Sequence, residues 1–544
     1  MNLPRMQYAS GLRKLTQVEF KGYNHTISAE NGEIYDMTNM SSNLAPLLSP
    51  RPPRRLLTTL AKPNGIYAKD GLVWVDGTDF YYDGEKRGDV TDSMKIFADI
   101  GAYIVIFPDK AYYNILKDEF GALESSVTSG TYQVTFTNGT LFGEDAEANT
   151  IYSGQINFNE YFTAGDAVTI SGCTIHTENN KTPVIREISA DGHYMYFYEY
   201  NFKLNGDEGI TPYVEPGAIT FARTVPDLDF ICGNDNRLWG CRGDEIFTSM
   251  LGNPFNWNVF EGIASDSYNV IVGTAGDFTG CISYLGYPIF FKDSQIYKVF
   301  GDKPSNYEVT ASASTGVQDG SSASLAVAGE ICFYLSRNGI VSYTGGIPQQ
   351  RYAPFGGELY ADGVAGSDQR KYYISMRDDN NISHLFVFDT ERSLWHREDN
   401  TEALGFAFER NLYMLCANGE IWITGNIIDA PAESAAESPV AWLCEFGDFS
   451  EDIPEKKGVT KFYIRLTLEQ DAECTVWIRY DSTGEWQEIN HYNTTVKRGY
   501  TLAVVPHRAD HYRLKLTGVG GCVIHGITRE AYAGSTNKSL GGRQ

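Results

Sequence analysis

The sequence predicts an all-β fold: a six- to seven-bladed β-propeller with an inserted β domain and a C-terminal β-sandwich. Three observations carry that expectation. The composition, with 35 Tyr, 29 Phe and 54 Gly in 544 residues, favours strands and tight turns, since aromatic side chains suit a pleated, half-buried surface. A hairpin signal, in which an apolar or aromatic run meets a short polar break and then an alternating run, occurs about seven times. Leaving out one gap, its turns recur about every 33 to 50 residues, the range of four-stranded propeller blades. Radial closure would protect the strand edges that so many hairpins otherwise leave open.

The clearest hairpin is Leu285 to Phe300. Tyr287 to Phe291 is apolar and aromatic, Lys292 to Gln295 is a polar break, and Ile296 to Val299 alternates. Phe290, Phe291, Ile296 and Val299 are expected to pack between blades. The same shape returns around Asp76-Gly77, Pro108-Asp109, Arg242-Gly243, Ser336 to Gly339, Arg377 to Asn381 and Cys416 to Gly419.

Taken in order, residues 1–60 have no sustained period and end in a proline-dense run, Pro50-Arg51-Pro52-Pro53, which enforces extended backbone. An extended N-terminal arm follows from this. Arg51, Arg54 and Arg55 stand out against an acidic chain, either docking on an acidic patch of another subunit or on phosphate, or packing the arm on its own domain. Residues 61–126 form the first part of the propeller and 226–428 the second. The gap between them, 127–225, carries its own alternating strands and reads as a β domain inserted in a blade loop, where added length costs little. An Ala/Glu/Ser/Pro linker covers 429–439, clean alternation from Phe462 to Ile524 places a β-sandwich at 440–530, and 531–544 is a flexible tail.

The formal charge of −25 is spread along the chain, which argues against general affinity for nucleic acid and reads either as an ordinary acidic surface or as a wall that lets phosphates pass. No secretory pattern opens the sequence and no run approaches the ~18 to 20 apolar residues of a membrane span, so synthesis in the cytoplasm is expected. Nine cysteines sit singly and no CxxC occurs, which points to free buried thiols rather than a zinc site.

Catalytic, cofactor and metal sites are all read as none. His507, Asp510 and His511 follow Pro506 at a strand entrance, where four extended residues span roughly 13 Å, too far for two ligands of one ion. Asp378 to Asn381 falls at a hairpin turn, where Asx side chains bond their own backbone. Two carboxylates could serve glycoside hydrolysis, but the sequence places no pair face to face. Trp395, Trp422, Trp477 and Trp486 either stack on sugars or fill sheet cores.

Three stretches together resemble bacteriophage tail proteins: the first the opening arm of phage virion propellers, the second the central region of the tail hub or nozzle proteins of short-tailed phages, the third the β-sandwich closing tail proteins of phages of Gram-positive hosts. They are Gly32-Glu33-Ile34-Tyr35-Asp36-Met37-Thr38-Asn39-Met40 with Ser49 to Pro52; Ser249-Met250-Leu251-Gly252-Asn253-Pro254-Phe255-Asn256-Trp257; and Tyr480 to Trp486 with His507 to Arg513. The resemblance implies a structural virion protein: a ring, expected to be a hexamer, below the portal and adaptor proteins. Its lumen would conduct DNA without sequence-specific binding, closed until infection, with tail fibres or spikes attached. It implies a place in the virion tail after assembly in the bacterial host cytoplasm, and no enzymatic role. The alternative is a host-glycan-binding or glycan-cleaving phage tail protein.

Overall fold

In the computed structural model, Leu285–Phe300 supplies the middle two strands of a four-stranded antiparallel sheet ordered Gly280–Tyr284, Tyr287–Lys292, Gln295–Phe300, Glu308–Ala313. Leu285 and Gly286 have φ of 55° and 77°, the left-handed pair of a mirror-type turn that matches strand twist. Lys292 pairs with Gln295, so the polar break narrows to Asp293 and Ser294. Phe290, Phe291, Ile296 and Val299 are all buried. Phe290 and Val299 share a core with Trp239, Ile246 and Phe278, which joins this sheet to the one before it.

The structure describes residues 12–26, 32–140, 147–198, 202–206, 211–428, 430–432, 434–451, 456–481, 484–493, 497–504 and 507–533. Among them, six of the hairpins read from the sequence form the middle of four-stranded sheets and the seventh lies within a five-stranded one, giving seven blades, the upper end of the expected range. The fold is an all-β propeller with an inserted β domain and a β-sandwich, and no α-helix occurs among the described residues.

The chain forms two compact units. Residues 62–319 hold the blades at 63–89, 96–122, 230–271 and 280–313 and the insertion. Blades two and three touch although the insertion separates them in sequence. A Cβ on Gly233 would lie 2.3 Å from the Asp99 carbonyl oxygen, so only glycine permits that approach. The insertion spans 125–223, close to the expected 127–225, and leaves through paired strands Ser125–Thr128 and Thr220–Arg223. Its own core includes Phe136, Phe158, Phe197 and Phe221. Asp166 anchors it, accepting from Arg223 at 2.7 Å and from Asn256 Nδ2 at 2.9 Å. The 249–257 stretch, through Asn256, is therefore where the insertion is fastened.

Residues 1–61 and 320–544 hold blades at 326–350, 360–397 and 403–424 and the sandwich. The seventh blade takes its fourth strand, Arg55–Thr59, from the other end of the chain, paired with Glu420–Thr424. One sandwich sheet contains Arg13–Gln17, Cys522–Ala533, Lys457–Leu468 and Lys497–Ala503. The other runs Gly22–Tyr23, Glu33–Thr38, Ala441–Phe446, Tyr512–Val519, Glu473–Tyr480, Gln487–Tyr492. Strict alternation turns Phe462, Ile464 and Leu466 of the first sheet, and Cys474, Val476 and Ile478 of the second, into one core.

Two expected boundaries change. The described part of residues 1–60 is not a free arm, because its strands complete both sandwich sheets and the seventh blade. Its partners lie hundreds of positions away, so local periodicity carries no trace of them. The 429–439 linker also has a structural part, since Ala435–Ala436 pairs with Arg55 and Leu56. Most of the expected tail, 534–544, lies outside the described residues.

Candidate functional site

The proline run brings three arginines to the seam between the sixth and seventh blades and the linker. Arg51 and Arg54 are each 5% exposed. Arg51 grips Glu437 through two hydrogen bonds of 2.7 and 2.9 Å, and Arg54 meets Glu398 at 2.6 Å and Asp399 at 2.9 Å. Arg55 donates to the Ser434 hydroxyl and carbonyl at 2.8 and 2.6 Å. The docking role read for Arg51, Arg54 and Arg55 thus gives way to an internal one. Burial pushes the Asp399 and Glu437 carboxyls up, but the arginines and their hydrogen bonds outweigh it and hold both below the usual range.

The tryptophans divide. Trp395 is buried and donates to the Arg351 carbonyl at 2.9 Å, a core role. Trp422 is half-buried and donates to Glu420 at 3.0 Å. Trp477 and Trp486 share the outer face of the second sandwich sheet.

That face follows from period-two alternation. On Glu473–Tyr480 the inward set is Cys474, Val476, Ile478 and Tyr480, leaving Thr475, Trp477 and Arg479 outward. On Tyr512–Val519 the outward set includes Arg513, Lys515 and Thr517. The register sets Trp477 beside Lys515 and Arg479 beside Arg513. Trp477 donates its indole N–H to Thr517 Oγ1 at 2.9 Å, which fixes the ring plane. The Lys515 ammonium lies 4.3 Å from the Trp486 ring centre and 5.5 Å from that of Trp477. Arg479 lies 4.7 Å from the Trp486 ring and Arg513 lies 4.4 Å from that of Tyr35. Tyr35 stacks on His25 at 4.2 Å.

One carboxylate ties the stripe together. Glu445 accepts from Arg479 at 3.3 Å and from Arg513 at 3.0 Å, and Arg513 also bonds Asp448. Two like charges directly opposite on a sheet repel, and Glu445 relieves that. Burial lowers the Lys515 ammonium below its ordinary range, partly opposed by Glu445. The result is a stripe of half-buried rings interleaved with donors and an acceptor. Lys515 and Arg479 already lie over the Trp486 ring. What the stripe leaves for a sugar is the outward part of the half-buried rings for C–H contact and the remaining hydrogens of the charged groups for hydroxyls. Arg479 was detectable from the alternation around Trp477, whereas Lys515 arrives on a partner strand. Tyr35 was not, because it arrives on a strand from the other end of the chain.

The remaining candidates have local partners. Asp378 accepts the backbone N–H groups of Asn380 and Ile382, each at 2.9 Å, and bonds His384, as an Asx turn should. His511 sits 3.3 Å from Asp510 and 3.9 Å from Asp448. Among the described residues no three His, Cys, Asp or Glu side chains group as metal ligands.

No family model and no curated protein matches the sequence. Solved structures similar to the chain include a proposed 6-phosphogluconolactonase from Bacteroides uniformis, 11% identical over 68% of this chain and 99% of that one, with a TM-score of 0.25. An exo-β-1,3-galactanase from Phanerochaete chrysosporium is 8% identical over 54% of this chain and 92% of that one, with a TM-score of 0.17. A family 43 arabinoxylan arabinofuranohydrolase from Bacillus subtilis is 9% identical over 88% of this chain and 96% of that one, with a TM-score of 0.16. The expectation of no enzymatic role is corrected here. It followed from the phage resemblance, and the solved structures similar to this chain are described as enzymes. At these scores the likeness assigns no reaction to this chain.

Proposed function

We propose that the chain is a glycan-binding phage tail protein that holds host saccharide on the outer face of its sandwich. The observation that carries this reading is the Trp477, Lys515, Trp486, Arg479 stripe, in which rings and hydrogen-bonding groups alternate at contact distances. Rings alone would suit any apolar partner, whereas rings interleaved with charge-assisted donors suit a ligand with both C–H faces and hydroxyls. The phage setting rests on the three sequence stretches described above.

The test is retention on immobilised host cell-wall polysaccharide, with tryptophan fluorescence as a second readout. The native chain is expected to bind and Trp486→Ala to weaken binding about tenfold or more while melting at the native temperature. Binding that is absent, or unchanged in Trp477→Ala and Trp486→Ala, overturns the reading. Assaying the same incubations for new reducing ends separates cleavage from retention.

A second reading, the ring that conducts DNA below the portal and adaptor, is favoured by the stretches at 32–40 and 249–257. Electron microscopy of virions decides it: density for this chain as a ring on the tail axis supports a conduit, and its absence from virions removes both readings.

A further inference from the structure

A second opening lies on the propeller side of the unit formed by residues 1–61 and 320–544. It is a cleft of about 510 Å³, within the size range of small-molecule sites, bordered by Asn43, Lys371, Asp389, Arg392, Phe408 and Arg410. A much smaller pocket of about 20 Å³, room for about one hydroxyl or water, shares Asn43 and Lys371 with it and is also lined by Ser42, Tyr373 and His396.

The charges of the cleft are unevenly matched. Asp389, 2% exposed, accepts from the Ser42 hydroxyl at 2.6 Å and from Arg392 at 3.0 Å. Asp368 accepts the backbone N–H groups of Arg370 and Lys371 at 3.0 and 2.7 Å and the Tyr373 hydroxyl at 3.2 Å. Glu391 is held by Arg370 through bonds of 3.0 and 2.6 Å. Each of these carboxylates therefore has its donors. Lys371 does not have a carboxylate: among the described residues its ammonium bonds only the neutral Asn43 amide oxygen, at 2.6 Å. Burial, the largest influence, lowers the Lys371 ammonium below its ordinary range despite nearby acids.

The inner pocket adds an independent sign. His396 is 5% exposed and lines that pocket; its Nδ1 makes no close hydrogen bond among the described residues, although the Val387 backbone lies near enough to act on the ring. A buried polar atom without a partner carries its full desolvation cost, which a ligand hydroxyl reaching it would relieve. An anion beside Lys371 would likewise restore the charge stabilisation that burial removes.

We infer that this cleft binds a small hydroxylated oxyanion, a saccharide unit bearing a carboxylate or a phosphate, with the acid group on Lys371 and a hydroxyl on His396 Nδ1. The site is separate from the sandwich face and does not depend on it.

Calorimetric titration of the full chain with glucuronate, glucose 1-phosphate, inorganic phosphate and neutral glucose tests this. Glucuronate, glucose 1-phosphate or both should bind more tightly than glucose and inorganic phosphate, and which one binds identifies the acid group. Lys371→Met should weaken the preferred anion about tenfold or more, and Lys371→Arg should retain it. His396→Phe should bring the preferred sugar anion down to the level of inorganic phosphate. Failure of the native chain to bind either sugar anion at millimolar concentration overturns the inference, as does equal binding of glucose or an unchanged affinity in folded Lys371→Met. The native titration stands even if a variant fails to fold. Loss of polysaccharide retention in Trp486→Ala with unchanged titrations here would keep the two sites distinct.

Discussion

Arg54 and Glu398 meet at 2.6 Å inside the protein although 344 positions separate them in the chain. Both are nearly shielded from water. Removing one partner of such a pair leaves an uncompensated buried charge, which costs more than the pair itself contributes. Glu398→Gln and Arg54→Met are each expected to lower stability by about 3 to 5 kcal/mol. Urea denaturation followed by circular dichroism measures this, and a loss below about 1 kcal/mol would show that the network is not a staple.

The strand that Arg54 introduces closes the seventh blade, and Gly419 is the position that permits it. Its φ is +88°, and a Cβ there would lie 2.1 Å from the Leu60 carbonyl oxygen. Gly419→Val therefore combines a left-handed backbone with a backbone clash, an expected cost of about 2 to 4 kcal/mol. Hydrogen exchange should show Arg55–Thr59 losing protection before the blade's other strands. Uniform protection across all four strands would contradict the proposed closure.

These two contacts also mark where reading the sequence stops. The seven hairpins were visible because each lies within about twenty residues and its turn chemistry is local. Burial of Phe290, Phe291, Ile296 and Val299 followed from the same pattern. The fate of residues 12–60 was not visible, since strand partners such as Ala531 for Arg13 and Cys444 for Met37 lie at the far end of the chain. The candidate stripe was half visible for the same reason. Trp477 and Arg479 are two apart on one strand, but Tyr35, Glu445 and Lys515 join them only through sheet order. His396 gave no signal at all, because an unpartnered ring nitrogen is a property of the cavity, not of the neighbouring residues.

The cysteines offer a direct check of the packed core. All nine are free, seven are buried, and Cys232 and Cys281 are half-buried. Burial pushes the thiols of Cys332 and Cys416 up to about 12, which keeps them protonated and unreactive at neutral pH. A thiol-specific chromogenic reagent should titrate at most two groups in native protein and all nine in denaturant. Rapid native labelling of Cys474 or Cys522 would mean that the two sandwich sheets do not pack as described.

Acid should weaken the fold before its carboxylates titrate, and His396 is the reason. Burial, reinforced by the Lys371 charge, pushes its imidazole down to about 3. The folded chain thus leaves this ring neutral, while the unfolded chain protonates it below about pH 6.5. A lowered histidine pKa costs stability as pH falls from the unfolded value towards the folded one, at up to ~1.4 kcal/mol per pH unit. Asp399 and Glu437, whose carboxyls are held low, act in the same direction but only below the ordinary carboxylate range near pH 4. Between pH 6.5 and 4.5 the histidine effect should therefore stand apart, at about 2 to 3 kcal/mol. Urea midpoints of native chain and His396→Gln across that window measure it. The variant should show the shallower loss, and parallel curves would mean that His396 is hydrated or already paired in solution.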